Sequence, residues 1–266
     1  MGYKKGLETG KIEYAMWNAQ LYCNYLFATG KELNQVENEL FKYIESAKKM
    51  QSKNSLYFLA MNYQLVLNLH NKCEYPCRLV GKAFNEDQML SLYKKGKYNH
   101  ALFHIYTHKT MIFYLLGEFE NALEYALEGE KYIGGMLTAG TPKFLFDYCL
   151  THLAIYEQKS AQKQEDIIKK ITKHQRIMKL LATYNASHYL GKFYLIEAEI
   201  YRVLGEDKNA REYYDQAITA FENSDYVHDK AIAYELAARF SLYKKYDHII
   251  CKMLITTIKY GEQLPK

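Results

Sequence analysis

Three prolines and fourteen glycines in 266 residues leave little material for tight turns, which argues against a protein built from short strands. The Val and Thr enrichment expected of sheets is also missing. Five cysteines (Cys23, Cys73, Cys77, Cys149 and Cys251), odd in number and irregularly spaced, argue against a disulfide framework. They point to a reducing compartment, so a cytoplasmic location is expected. No stretch approaches the ~18 uninterrupted apolar residues of a membrane span, and MGYKKGLETGKIEYA has no apolar leader segment. Runs of like charge are absent too. Acids and bases alternate, the formal charge is +5, and neither a membrane surface nor a nucleic acid is the expected partner.

What the chain does have is helical periodicity. Apolar residues make up 49% of it, and 27 of its residues are tyrosine, a side chain that fills a helix seam while its hydroxyl reaches water. Apolar positions recur at three- and four-residue steps in 12–28, 33–50, 55–70, 86–95, 99–116, 119–133, 142–158, 162–182, 187–204, 207–223, 227–243 and 246–260. Thr141 before Pro142 reads as a helix start. The stretch 71–85, with Pro76 and Gly81, reads as a loop.

The sharpest internal pattern lies in 192–223. Tyr194, Ala198 and Tyr201 share one face of a first helix, Gly205 ends it, and Ala210, Tyr214 and Ala217 line a second. Small residues let the two helices approach closely while the tyrosines fill the space between pairs. The pattern resembles the tetratricopeptide repeat, whose period is ~34 residues. An echo surrounds Gly117, with Ala122 and Ala126 after it, a weaker one surrounds Gly30, and a further unit is read at 231–260. The three glycines are spaced by about 87 residues rather than one repeat, so intervening turns are expected to be degenerate. The expectation is a single all-α domain over 1–266, an irregular tetratricopeptide-like α-solenoid of about six antiparallel helix pairs. Gly10 and Ile12 to Ala15 read as the turn and second helix of a repeat that begins in its middle, as in a fragment or a truncated gene.

Several strings carry a closer resemblance. GKIEYAMWNAQLYCNYLFATGKEL (10–33), PCRLVGKAFNEDQML (76–90), ALFHIYTHKTMIFYLLGEFENALEYA (101–126), FLFDYCLTHLA (144–154), YLIEAEIYRVLGEDKNAREYYDQAI (194–218) and KAIAYELAARFSL (230–242) occur in this order. Together they resemble the helical region that follows the AAA/NACHT-like ATPase module in large bacterial hybrid serine/threonine–histidine kinases. The closing KYGEQLPK departs from that family's aromatic continuation, and neither a phosphate loop nor a kinase signature is present. The resemblance implies a regulatory arm without inherited chemistry, and a kinase or ATPase module as one candidate partner.

Four constellations hold residue types that carry chemistry. His100, His104 and His108 stand four residues apart, a spacing at which neighbouring imidazoles can share a metal. The acid of a metalloprotease motif is missing beside them, so adventitious placement is the default. His70, Cys73 and Cys77 form H-x2-C-x3-C in the loop, with no second ligand pair at a customary distance. Cys149 and His152 share a packing helix, and Glu197 and Glu199 point to different faces. No catalytic residue, metal or cofactor is expected. The surface expected to bind a protein or peptide is the inner face of the first helices: His104, Thr107, Met111 and Tyr114, then Lys192, Leu195, Glu199 and Arg202, then Glu235 and Arg239. A metal-dependent enzyme built on the histidine ladder is the alternative, and a stand-alone peptide-sensing receptor another.

Overall fold

A computed structural model describes residues 2–134 and 140–243. They form twelve α-helices, and their only extended pairing is one bridge between Val80 and Asn85. The chain packs as two compact units, Met1–Gly140 and Thr141–Lys266, where the sequence suggested one repeat domain. The first holds α1 (Gly2–Glu8), α2 (Ile12–Ala28), α3 (Leu33–Lys49), α4 (Lys53–Leu69), α5 (Glu86–Gly96), α6 (Asn99–Leu115) and α7 (Phe119–Glu130). The second holds α8 (Thr141–Ala154), α9 (Ala161–Tyr184), α10 (Ala186–Val203), α11 (Asp207–Glu222) and α12 (Val227–Tyr243). No described helix is long and apolar enough to cross a membrane. The expected helix at 246–260 lies outside the described residues.

One turn recurs through both units. At Gly10, Gly30, Gly117 and Gly205 the backbone enters the left-handed region, with φ of 70, 70, 75 and 75°, which glycine adopts without steric cost. Each turn carries the same two closing bonds. At Gly117 its own N–H reaches the Tyr114 carbonyl at 3.0 Å, and that of Glu118 reaches Phe113 at 2.9 Å. Gln51, Asn71 and Lys97 take up the same conformation at φ of 55, 55 and 54° and make the same pair of bonds. Between Gly30 and Gly117 the long glycine spacing therefore reflects residue choice, because the missing turns are built from other residues; between α8 and α10 the described connections are instead the 3-10 turn at Tyr156–Gln158 and Asn185 at φ −149°.

Close helix approach follows from small side chains. Ala198, Ala210 and Ala217 are fully buried where α10 packs on α11, and Thr110, Ala122 and Ala126 where α6 packs on α7. Tyr214 is buried, while Tyr194 and Tyr201 lie half-buried and ring with Tyr213 at 6.0 and 5.2 Å. Two differences from the sequence reading have physical causes. The first is α1, which has a helix-weakening glycine at Gly6. A β-carbon there would meet the Ala15 backbone at 2.8 Å, so α1 exists through its packing on α2. The second is the segment 142–158, which is not one helix: α8 stops at Ala154 and a 3-10 turn follows at Tyr156–Gln158. The Gln164 side chain holds that turn by donating to the Tyr156 carbonyl at 3.1 Å.

The loop between α4 and α5 is stapled from below. Asn68 Nδ2 donates to the carbonyls of Pro76 and Arg78 at 2.9 and 2.6 Å, and Gln64 Oε1 accepts from Ala83 N–H at 3.3 Å. Lys109, on α6 and only 2% exposed, pairs with Glu86 at 2.7 Å and donates to the Cys77 carbonyl at 2.6 Å. Glu86 in turn accepts from Leu79 N–H at 2.8 Å. The ammonium also lies 4.8 Å from the Tyr125 ring and 5.2 Å from Phe113, a cation–π cradle.

Candidate functional site

Within the first unit, the starts of α2, α4 and α6 and the end of α5 surround a cleft of about 770 Å³. From α2 come Tyr14, Trp17 and Gln20, one face of the helix at three-residue steps. From α4 come Asn54, Tyr57, Phe58 and Met61, and the α5–α6 turn adds Leu92, Tyr93, Tyr98 and His100. The opposite face of α2, with Met16, Ala19 and Cys23, is buried in the core. A helix apolar on both faces has a second surface to satisfy. Here that surface is Tyr14, Trp17, Leu21 and Tyr25, all at least 40% exposed.

The cleft is aromatic with amide groups between the rings. Gln20 Nε2 donates to Ser55 Oγ at 2.7 Å, which ties α2 to α4 across the cleft. Tyr93 and Tyr98 meet edge to face at 5.9 Å. Burial and the neighbouring Tyr57 push the Tyr93 hydroxyl up to about 12, so it stays protonated at neutral pH. Phe58 stacks on His100 at 5.9 Å and meets His104 edge-on at 4.7 Å. Burial lowers the pKa of both imidazoles, and His104, which also faces His108 and His100, is held well below the usual range. The pair presents neutral rings at pH 7.

Seven of the ten residues expected to form a binding face are buried: His104, Thr107, Met111, Tyr114, Lys192, Leu195 and Glu199. Thr107 Oγ1 donates to the Phe103 carbonyl at 2.8 Å. Glu199 accepts from the Tyr214 hydroxyl and from Arg202 at 2.9 Å, while Arg202 also bonds Glu157 at 3.1 Å and the Leu153 carbonyl at 3.2 Å. Lys192 pairs with Asp229 at 2.8 Å beneath the Tyr226 ring, 3.8 Å away. Glu235 and Arg239 are exposed and pair with each other at 2.6 Å. These side chains sit on the helices expected, yet most face the interior. The exposed rings of the first unit lie outside that expected face; their sequence signal is Trp17, the chain's single tryptophan, and Tyr14, apolar residues on the side of α2 opposite its buried face.

The other clusters are structural in geometry. His108 Nε2 lies 3.0 Å from Asn62 Oδ1. His70 Nδ1 faces Glu37 at 3.7 Å, and burial raises the pKa of the Cys73 and Cys77 thiols, away from the thiolate a metal requires. Among the described residues no group of three or more His, Cys, Asp and Glu converges on a metal position. Cys149 is fully buried, which raises its thiol pKa strongly, and His152 Nδ1 is 2.9 Å from the Tyr148 carbonyl. Gln175 holds Glu197 at 2.7 Å, apart from Glu199. No family model matches the chain, and no curated protein matches it either.

Proposed function

We propose that the chain is a non-catalytic module that holds an extended segment of another protein in the aromatic cleft of its first unit. The observation that carries this is the row of half-exposed rings Tyr14, Trp17, Tyr57 and Tyr98 around one concavity. Tryptophan and tyrosine dominate the energetics of protein recognition because they bury much area at low entropic cost. The amides of Gln20 and Asn54 suit a peptide backbone, and the apolar stripe continues past the cleft to Leu21 and Tyr25, longer than a compact small molecule needs. The recurring left-handed turns and small-residue contacts support reading the helices as an irregular tetratricopeptide-like solenoid of about six pairs. With the resemblance to the arm beside a signalling ATPase, they favour a regulatory scaffold whose partner belongs to a kinase or ATPase system.

Peptides selected from a random library should quench or shift Trp17 fluorescence. Measured by calorimetry, their affinity should fall at least tenfold in Trp17→Ala and in Tyr57→Ala, since each removes an anchor of ~2 kcal/mol. Unchanged affinity in both variants would place the binding surface elsewhere.

A further inference from the structure

We infer that His100 and His104 form a two-imidazole chelate for a borderline divalent cation, Cu²⁺, Ni²⁺ or Zn²⁺, at the edge of the aromatic cleft. The pair stands one turn apart at the start of α6, and the two Nε2 atoms converge to 3.2 Å. Two imidazoles at a Zn–N distance of ~2.0–2.1 Å, with a tetrahedral angle between them, bring their nitrogens to about 3.3 Å. The rings already stand at a chelating separation, with centroids 4.5 Å apart.

Three further observations favour the site. No described residue bonds Nδ1 of either ring, so both can carry their proton there and turn both Nε2 lone pairs inward. Burial of His104 and partial burial of His100 lower both proton affinities, which weakens proton competition at neutral pH. Phe58 packs on both rings and fixes their orientation. His108 does not join them: its Nε2 is engaged with Asn62, and its ring centroid is 6.3 Å from that of His104. The protein thus supplies two ligands, and water completes the shell from the cleft, whose lining includes His100. Imidazole donors select borderline ions over Mg²⁺ and Ca²⁺. The same contact could be an Nε2–H···Nε2 hydrogen bond alone, and the two arrangements differ in their response to metal.

The test titrates tag-free protein with CuCl₂, NiCl₂, ZnCl₂ and MgCl₂ by calorimetry and by quenching of Trp17, which lines the same cleft. Saturable 1:1 binding of at least one of the first three is expected, with no response to Mg²⁺. Affinity should drop at least tenfold in His100→Ala, whose side chain is exposed, and persist in His188→Ala on α10. Where His100→Ala loses its far-UV dichroism, His100→Gln takes its place. Failure of all three ions to bind stoichiometrically, or equal binding in the His100 variant, leaves only the hydrogen bond and overturns the site.

Discussion

Helices α6 and α10 are the same device in two settings. Each precedes a left-handed glycine, each packs on a partner through alanines, and each buries a lysine against an acid from another element. They differ in what the lysine holds. Lys109 clamps a loop, joining Glu86 and the Cys77 carbonyl in a single bonded chain. Lys192 sits among helices with a second pair nearby, Lys143 with Asp147, so two cations face two carboxylates. Asp147 is completely buried, and burial outweighs Lys143 to push its pKa up to about 6, whereas Lys192 and Lys143 hold Asp229 below its ordinary value despite burial. A buried lysine on the helix before the glycine turn therefore serves as a brace in one unit and as part of a titrating cluster in the other, from different positions on the two helices.

The largest test of this contrast is removal of each lysine. Lys109→Ala strands a buried carboxylate and a loop carbonyl, and should cost ~3–5 kcal/mol by urea denaturation. Lys192→Ala should cost clearly less, because Lys143 also acts on Asp229. Equal losses would erase the distinction. Next comes pH. A carboxyl whose folded pKa is about 6 against 3.8 ordinarily binds its proton more tightly when folded. The stability this provides is complete below about pH 4 and is lost as pH rises through 6. Asp147→Asn should therefore gain on the native protein by ~2 kcal/mol between pH 4 and pH 7, read as the difference in Tm at the two values. Asp229 works in the opposite sense, since its contribution is present above its ordinary value and fades as pH falls.

The smallest effects concern the shared turn. Gly117→Ala and Gly205→Ala meet no atom within 4 Å, so each should lose only the left-handed backbone cost of ~1–2 kcal/mol. Lys97→Gly should gain up to ~1 kcal/mol, and Asn71→Gly less, because asparagine tolerates that conformation better than lysine. Thermal unfolding of the four variants orders them.

The all-helical class was legible because buried faces impose a period that local sequence must follow. Gly117 and Gly205 announced their turns for the same reason. Gln51, Asn71 and Lys97 did not, since nothing in those side chains marks a positive φ. The binding face was harder. Which side of α6 or α10 meets water depends on elements far along the chain, and the inner positions His104 and Lys192 proved to be interior. Trp17 and Tyr14 were legible as misplaced apolar residues on α2, but reading them required knowing that Met16 and Ala19 already occupied the core.

The stapled loop sets an order of events for a chain emerging from the ribosome. Helices α1 to α4 need only close sequence neighbours to pack, and such local contacts form quickly. The 71–85 segment meets Asn68 and Gln64 at once, but its buried ion pair waits for Lys109, synthesised 32 residues after the Cys77 carbonyl that it holds. Until then Glu86 has no buried counter-ion and the floor of the loop is open. A pause in translation between the two would leave the loop held by Asn68 and Gln64 without its buried ion pair.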